Sequence, residues 1–295
     1  MNIGFIGVGV MGRHMVNNLL KNNFNVSIYA RNKEKIKDFI DNGVKSYDTI
    51  KELCNNSDVV ITIVGYPSDV KEVYFDEDKI LNNVKENTIV IDMTTSSPSL
   101  AEEIYYEAKK KNIYSMDCPV TGGDTGARNA TLTIFAGGDE EIFNKIKPIL
   151  DAMGNNVCYC GKCGSGQHAK LANQIGIAGS LAAICELYSY AKLNGLDVNK
   201  LLPYWQSGSA GSFQMNTAFK KALEDNFEPG FYTKHFIKDM KLALEDVKSK
   251  NVNLEMLETV LNMYLKLSNE GYDDKGTQII TKYYEKEISD YNESK

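Results

Sequence analysis

Residues 3–12 read Ile-Gly-Phe-Ile-Gly-Val-Gly-Val-Met-Gly, which places three glycines in the pattern G-x-G-x-x-G. The pattern follows a short apolar run and precedes a segment with helical spacing, so we predict a strand-to-helix turn here. In such a turn Gly7 permits the bend, Gly9 lets the backbone approach a pyrophosphate, and Gly12 allows close packing of helix on strand. Free N–H groups at the helix N-terminus bind the anion. The residues predicted to contact a dinucleotide are Gly7, Gly9, Val10, Met11 and Gly12.

Short β-branched runs alternate with amphipathic segments through the first 160 residues. The candidate strands are residues 3–6, 26–29, 59–64, 88–93, 131–135 and 157–159, and the candidate helices include 11–21, 33–42, 68–74 and 99–111. Strands that alternate with helices form a largely parallel sheet covered on both faces. The α/β pattern therefore predicts an N-terminal doubly wound parallel sheet of the Rossmann type.

The character of the chain changes near Gly164, where the strand-like runs stop and long helical patterns begin. Residues 167–193 are predicted to form one long helix that ends at Asn194-Gly195. We therefore expect two domains joined by this helix. Residues 1–163 would bind the dinucleotide, and residues 164–295 would form an all-helical domain for substrate binding and dimerisation.

Composition excludes several classes of protein. The 295 residues include 33 basic and 39 acidic side chains, for a net charge of -6, and the lysines form no basic stripe. Nucleic acid is therefore not an expected partner. No apolar run approaches the roughly 20 residues of a membrane span, and the N-terminus lacks the basic region of a signal peptide. We expect a cytoplasmic protein with no membrane partner.

Three of the six cysteines lie close together, at positions 158, 160 and 163. A structural zinc site usually needs four ligands, and the histidines at 14, 168 and 235 lack the spacing of a ligand pair. The segment is better interpreted as a strand that ends in a glycine-rich turn with reduced thiols. We predict no metal site; the alternative, a zinc protein, would contain stoichiometric metal.

The end of the second candidate strand bears on the choice of cofactor. An enzyme that prefers NAD usually has an acid there for the ribose 2′-hydroxyl, but this chain has Ala30 followed by Arg31. An arginine can pair with a 2′-phosphate and stack on adenine, and no carboxylate in this segment would repel the phosphate. We therefore predict NADP as the preferred cofactor over NAD, with Arg31 and Asn32 in its site. The alternative is a solvated arginine in a surface turn.

Five segments of the chain resemble, in order, the β-hydroxyacid dehydrogenase family. The family includes 3-hydroxyisobutyrate dehydrogenase and tartronate semialdehyde (2-hydroxy-3-oxopropionate) reductase. The matching segments are residues 4–20 (GFIGVGVMGRHMVNNLL), 92–99 (DMTTSSPS), 117–138 (DCPVTGGDTGARNATLTIFAGG), 164–174 (GSGQHAKLANQ) and 227–244 (FEPGFYTKHFIKDMKLAL). The resemblance implies an NAD(P)-dependent oxidoreductase that acts on the CH-OH group of a small 3-hydroxy acid or reduces the corresponding semialdehyde.

The resemblance also implies that Lys170 is the catalytic residue. Transfer of a hydride to a carbonyl creates a developing alkoxide, and an ammonium group within hydrogen-bond distance can protonate and stabilise it. The alternative is a helix lysine whose charged end reaches solvent. Some relatives that reduce imines share the fold implied by the resemblance but lack this lysine, so its presence favours an alcohol/carbonyl couple.

Substrate-binding residues follow from two matching motifs. Thr121, Gly122 and Gly123 match a family S-G-G motif, with threonine in place of serine, and their N–H and hydroxyl groups can bind a carboxylate. Asn173 and Gln174 lie three and four residues after Lys170, on the same helical face. Many family members have asparagine at the second of these positions, so either residue could contact the substrate.

Four more residues are implied to contact the cofactor. They are Pro67, Thr95, Phe231 and Lys238, with Thr95 at the nicotinamide end and Asp239 orienting Lys238. A Lys-Asp pair on a helix is more often a solvated surface pair, which is the alternative for Lys238.

The identity of the substrate stays open at this point. The KLANQ version of the helix motif is associated with tartronate semialdehyde reductases, whereas 3-hydroxyisobutyrate, 4-hydroxybutyrate with succinic semialdehyde, and glyoxylate are alternatives. Each is a small carboxylate-bearing aldehyde or hydroxy acid. A catalytically silent nucleotide-binding module is the non-enzyme alternative. Because the family pairs through its helical domains, we expect a homodimer or homotetramer.

Overall fold

The computed structural model describes residues 1–293, and side chains through residue 289. These residues form two compact units, and the first ends at Lys170 while the second begins at Leu171. The expected division at residues 163 and 164, with dinucleotide binding before it and substrate binding and dimerisation after it, stays a prediction.

The first unit contains a nine-stranded sheet. Its strands are β1 (Asn2–Ile6), β2 (Asn25–Tyr29), β3 (Lys45–Ser46), β4 (Val59–Thr62), β5 (Ile89–Asp92), β6 (Tyr114–Asp117), β7 (Val120–Thr121), β8 (Thr133–Gly137) and β9 (Asn156–Gly161). Its helices are α1 (Gly12–Lys21), α2 (Lys37–Asp41), α3 (Ile50–Asn55), α4 (Pro67–Phe75), α5 (Ile80–Asn83), α6 (Pro98–Lys109), α7 (Gly123–Arg128) and α8 (Glu140–Asp151), with a 3₁₀ turn at Lys33–Ile36.

The strand order β3-β2-β1-β4-β5-β6-β8-β7, with β9 beside β8, confirms the predicted doubly wound sheet. All pairs from β3 to β6 are parallel. The sheet is mixed at one side, because β8 runs antiparallel to β6 and β7 and parallel to β9. The strands β3, β6 and β7 were absent from the predicted set. Two of them have only two residues, and β6 contains Ser115 and Asp117, so its apolar pattern is interrupted.

Register aligns the ends of four parallel strands. Ile6 pairs with Tyr29 on one side and with Thr62 on the other, and Thr62 pairs with Asp92. The segments that follow β2, β1, β4 and β5 therefore leave the same edge of the sheet in that order. The chain order reverses at β1, which makes this edge the place where open α/β sheets bind ligands.

Buried side chains cover both faces of the sheet. On β4, Val59 and Ile61 belong to the cluster under α1 and α8, whereas Val60 belongs to the cluster under α3, α4 and α6. This pattern of apolar residues on both faces is typical of parallel strands that are buried between helices.

A long helix, α9 (Ser165–Leu193), begins in the first unit and continues into the second. The other helices are α10 (Val198–Ser207), α11 (Phe213–Asn216), α12 (Ala218–Leu223), α13 (Thr233–Lys248), α14 (Glu255–Asn269) and α15 (Ile280–Glu293), with a 3₁₀ turn at Thr277–Ile279. Within the second unit α9 contributes to two apolar clusters, through Leu181 to one and through Tyr188 to the other. The predicted helical C-terminal domain is confirmed. Among residues 1–293, no helix combines the length and apolarity needed to cross a membrane.

Candidate active site

The three glycines of the turn between β1 and α1 differ in the space that each would leave for a side chain. Gly7 has a φ of +101°, and a Cβ there would overlap the carbonyl oxygen of Ile63. A Cβ at Gly12 would overlap the carbonyl oxygen of Gly7. By contrast, a Cβ at Gly9 would have no atom within 4 Å. Packing within the protein therefore explains Gly7 and Gly12, and the open space at Gly9 fits the close approach of a pyrophosphate.

The same turn carries the other two predicted contacts, Val10 and Met11. Val10 is exposed, and Met11 immediately precedes α1. The N–H groups of Arg13 and His14 donate to the carbonyl oxygens of Gly9 and Met11. The positive end of the helix dipole still makes this end of α1 suited to an anion.

Arg31 lies just after β2 and pairs with a carboxylate that the sequence argument did not consider. Its Nη2 is 3.0 Å from Oε2 of Glu72 on α4, and both side chains are largely exposed. No carboxylate lies in the sequence segment around Arg31, but the fold brings Glu72 to it from 41 residues away. The neighbouring Asn32 accepts a hydrogen bond from the N–H of Glu34 and caps the 3₁₀ turn.

The segments after β4 and β5 carry Pro67 and Thr95. Pro67 is the first residue of α4, a position where its missing N–H costs no helical hydrogen bond. Thr95 lies between two residues held by one side chain. Gln167 accepts a hydrogen bond from the N–H of Ser96 and donates one to the carbonyl oxygen of Thr94, each at 2.8 Å.

Lys170 lies on the second turn of α9, three residues after Gln167. It is only 5% exposed, unlike most lysines. The solvent-exposed alternative for this side chain does not agree with the structure.

Asp117 at the end of β6 holds the first turn of α9. Its two carboxylate oxygens accept hydrogen bonds from the N–H groups of Gly164 and Gln167, each at 2.8 Å. Burial raises the pKa of this carboxyl to about 7; the two N–H donors act in the opposite direction, and the nearby Asp92 raises it further.

The predicted carboxylate-binding loop joins β7 to α7. Thr121 ends β7, and Gly122 and Gly123 have φ values of +129° and +64°. These left-handed conformations favour glycine. A Cβ at Gly122 would lie 3.3 Å from Leu132, so the loop has little room for a side chain there.

In the second unit, Asn173, Gln174 and Lys238 form one polar cluster. Gln174 is 1% exposed, donates to Oδ2 of the buried Asp239 at 2.7 Å, and accepts from Asn173 at 2.9 Å. Lys238 Nζ lies 3.0 Å from the other oxygen of Asp239. The alternative, a solvated Lys-Asp surface pair, is therefore not what forms, because Asp239 is buried. Both ends of the Gln174 amide are bonded within the protein.

Phe231 belongs to the apolar cluster of the second unit. Its ring centroid is 5.9 Å from that of Phe236 in an edge-to-face arrangement, and it lies just before α13. Its contact with a cofactor stays a prediction.

The cysteine triplet lies on β9 and the turn after it. Cys158 is exposed, and Cys160 and Cys163 are partly buried. Burial, followed by the neighbouring Cys158, raises the pKa of the Cys160 thiol to about 12, so it is protonated near neutral pH. Among the side chains that the structure describes, residues 1–289, no group of three or more histidine, cysteine or acidic residues is arranged to hold a metal ion.

Three residues of this region were not singled out from the sequence: Asp117, Gln167 and Glu72. Gln167 and Asp117 lie inside the quoted segments GSGQHAKLANQ and DCPVTGG, and a polar residue flanked by buried positions is a usable signal. Glu72 lies in a helix among other charged residues, and nothing in its local sequence distinguishes it.

Two family models match the chain and divide it near the start of α9. The first, described as the NAD binding domain of 6-phosphogluconate dehydrogenase, matches residues 2–161. The second, described as the NAD-binding domain of NADP-dependent 3-hydroxyisobutyrate dehydrogenase, matches residues 164–284.

Individual relatives extend over nearly the whole chain. An uncharacterised oxidoreductase of Bacillus subtilis, YkwC, is 45% identical and covers 96% of this chain and 99% of its own. A probable mitochondrial 3-hydroxyisobutyrate dehydrogenase-like protein of Arabidopsis thaliana is 43% identical over 94% of this chain and 83% of its own. A solved structure of Mycobacterium tuberculosis 3-hydroxyisobutyrate dehydrogenase with L-serine is 27% identical, with a TM-score of 0.87 over 95% of this chain and 97% of that one.

The fold and the glycine turn, taken with these matches, define an NAD(P)-dependent oxidoreductase that acts on CH-OH groups. The chain belongs to the 3-hydroxyisobutyrate dehydrogenase family of β-hydroxyacid dehydrogenases. This confirms the resemblance drawn from the sequence.

Proposed function

We propose that this protein catalyses the NADPH-dependent interconversion of a small 3-hydroxy acid and its semialdehyde, with tartronate semialdehyde as the preferred aldehyde. The observation that carries the proposal is the burial of Lys170 on the second turn of α9. A buried ammonium group with no catalytic role is a costly feature for a helix, since removing a charge from water disfavours folding.

Lys170 is the proposed acid-base group. When bound, the nicotinamide supplies or accepts the hydride. In the reductive direction the Lys170 ammonium donates a proton to the carbonyl oxygen as it becomes an alcohol, and in the oxidative direction the neutral amine takes that proton back. Because the ammonium also carries positive charge, it stabilises the negative charge that develops on oxygen before the proton arrives.

The substrate carboxylate is proposed to bind the loop at Thr121, Gly122 and Gly123. The left-handed glycines turn consecutive N–H groups in one direction, and such turns bind anions. Asn173 or Gln174, on the same helix as Lys170, is proposed to contact the substrate. The bonds at both ends of the Gln174 amide favour Asn173 for this contact.

The cofactor is proposed to lie along the edge of the sheet formed by the ends of β2, β1, β4 and β5. Its proposed contacts are Gly7, Gly9, Val10, Met11, Gly12, Arg31, Asn32, Pro67, Thr95, Phe231 and Lys238. Arg31 supports NADP as the preferred cofactor. The description of the second family model, which names an NADP-dependent enzyme, supports the same preference.

The related substrates 3-hydroxyisobutyrate and 4-hydroxybutyrate remain competitors of tartronate semialdehyde. L-Serine joins them, because the Mycobacterium tuberculosis enzyme was solved with L-serine and serine is also a 3-hydroxy acid.

We further propose a homodimer or homotetramer. Exposed Tyr190, Leu193, Tyr204 and Phe213 in the second unit support it, since large exposed apolar side chains often mark interfaces. Unpaired cysteines support a cytoplasmic location.

A substrate panel tests the reaction. Tartronic, succinic and methylmalonic semialdehydes would each be mixed with NADPH or NADH, and the absorbance of the reduced nicotinamide followed. The reverse panel would contain L-serine and 3-hydroxyisobutyrate with the oxidised cofactors. We expect the highest kcat/KM with tartronate semialdehyde and NADPH. A protein that binds NADPH but turns over no member of the panel would instead be the silent nucleotide-binding module.

A further inference from the structure

The side chain of Gln167 bridges two backbone groups of one loop. It accepts from the N–H of Ser96 and donates to the carbonyl oxygen of Thr94, both at 2.8 Å. Gln167 is 0% exposed, so these bonds are formed away from competing water. The loop they hold contains Thr95, and the helix that carries Gln167 also carries Lys170 three residues later.

The backbone of the same glutamine is fixed from another direction. Asp117 accepts from the N–H groups of Gly164 and Gln167, each at 2.8 Å. The first N–H groups of a helix have no partner inside it, so this carboxylate caps α9 from β6, 47 and 50 residues away in the chain. Because the capping residue lies on a strand, the cap also attaches the helix to the sheet. A capping residue next to the helix in sequence would only stabilise the helix N-terminus.

The start of α9 packs closely against the backbones of β6 and β8. A Cβ at Gly166 would overlap the carbonyl oxygen of Asp117, and one at Gly137 would lie 2.6 Å from Oδ1 of the same aspartate and 2.7 Å from the Gly166 nitrogen. The first turn of α9 is therefore held by β6, by β8 and by the loop after β5 together.

We propose that Gln167 and Asp117 are positioning residues that set the location of Lys170 relative to the Thr94–Ser96 loop. The inference rests on the proposed role of Lys170. Gln167 is hydrogen-bonded through its backbone to Asp117 on β6 and through its side chain to the Thr94–Ser96 loop. One residue therefore fixes both the start of α9, which carries Lys170, and the loop. A displacement of about 1 Å in a reacting group can cost about 10²-fold in rate.

The variant Gln167→Glu tests the proposal with little change of shape. Its carboxylate still accepts from the Ser96 N–H, but it has no proton for the Thr94 carbonyl oxygen. We expect kcat to fall about 10- to 100-fold, with the Kd for NADPH changed less than about twofold. Because burial raises the pKa of a carboxyl, protonation at lower pH restores a donor, so the kcat ratio of Q167E to wild type should rise as pH falls. The ratio is taken at each pH because Asp117, Asp92 and Lys170 are present in both proteins.

Two further variants separate positioning from general destabilisation. Gln167→Asn keeps the amide but is one methylene shorter, so it cannot reach both partners, and it should lose kcat without recovery at low pH. Tyr264→Phe is the matched control, because it removes a buried hydrogen bond of the second unit, from the hydroxyl to the Thr277 carbonyl oxygen at 2.6 Å. It should lower Tm while leaving kcat unchanged at a temperature well below unfolding.

The outcomes are distinguishable. A loss of kcat in Q167E and Q167N that exceeds that of Y264F at equal loss of Tm supports the inference. Unchanged kcat in Q167E or in Q167N, or a loss that Y264F reproduces, overturns it. Wild-type turnover in Lys170→Met would overturn the proposed function, whereas loss of turnover there with unchanged kcat in either Gln167 variant would overturn this inference alone.

Discussion

Arg31 and Glu72 form an ion pair, with Nη2 of the arginine 3.0 Å from Oε2 of the glutamate. The pair lies beyond the end of β2, where a dinucleotide fold binds the adenosine ribose. The side chains are 63% and 45% exposed, so water screens the pair and its strength is at most about 1 kcal/mol. In the proposed NADP site, a 2′-phosphate would compete with the Glu72 carboxylate for the same guanidinium group.

Glu72→Gln should therefore increase the preference for NADPH. Loss of the competing charge is expected to raise the ratio of kcat/KM for NADPH over NADH by up to about fivefold, since an exposed pair of this kind is worth about 0–1 kcal/mol. Arg31→Ala should lower the same ratio. Asp78→Asn, which removes the acid of another exposed pair, with Lys51, is the control and should leave the ratio unchanged. If neither Arg31 nor Glu72 affects the ratio, the assignment of the 2′-phosphate site is wrong.

Substitutions of Gly9 and Gly12 should separate binding from stability. Gly9→Ala places its methyl group in open space, so Tm should stay within about 2 °C of wild type while the affinity for NADPH falls at least tenfold. Gly12→Ala places its methyl group on the Gly7 carbonyl oxygen, so Tm should fall as well. Thermal unfolding without cofactor and NADPH titration by fluorescence measure the two effects. Equal loss of Tm in both variants would contradict the assignment.

Lys170→Met should remove the chemical step. Methionine keeps an unbranched apolar stem, so packing is largely preserved, but the proton donor and positive charge are lost. We expect kcat to fall by about 10²–10³-fold or more, with NADPH affinity within about threefold. The exposed Lys145→Met on α8 is the matched control for loss of one lysine, and it should retain wild-type kcat. The readout for kcat is steady-state oxidation of NADPH, and a single-turnover measurement isolates the chemical step.

Thr121→Val should weaken substrate binding. Valine matches threonine in shape but lacks the hydroxyl, and a hydrogen bond to a charged group contributes about 1.5–3 kcal/mol, so KM for the acid should rise about 10- to 100-fold. NADPH affinity should not change. Thr125→Val, an exposed position on α7, is the control. A KM that is the same in both variants would exclude the Thr121 hydroxyl from the carboxylate site.

Asp117 should give stability a dependence on pH. Burial raises the pKa of this carboxyl to about 7 in the folded state, whereas an unfolded aspartate titrates near its ordinary value of about 4. The folded protein therefore binds the proton more tightly, and this contribution to stability is fully present below about pH 4 and is lost as pH rises through about 7. The Tm difference between wild type and Asp117→Asn should decrease over that window and stay constant above it. The exposed Asp151→Asn is the control; a difference that stays constant across the whole range would contradict the shifted pKa.

Much of the fold was predictable because its signals are local. The turn at residues 7–12 depends on backbone conformations that neighbouring residues specify, and the helical character after Gly164 shows in the periodicity of apolar residues. The strand Tyr114–Asp117 was not predicted because it contains the polar residue Asp117. This residue is buried because its carboxylate accepts hydrogen bonds at the start of α9.

The supporting residues of the site could not be predicted in the same way. Gln167 and its partner Ser96 are 71 residues apart, and Arg31 and Glu72 are 41 apart. Side chains of these types are usually solvated, and only a specific packing of helix against strand turns them into buried or paired groups.

The sequence alone therefore determined the class of fold and the dinucleotide turn, since each depends on residue types at short, regular spacing. The lysine proposed for catalysis was implied by the resemblance to a known family. The tertiary structure decided which charges meet, which amide holds the loop beside Thr95, and that Asp117 is buried with a raised pKa. These are properties of distance and solvent exclusion between remote segments, and they exist only once the sheet and the first turn of α9 have packed together.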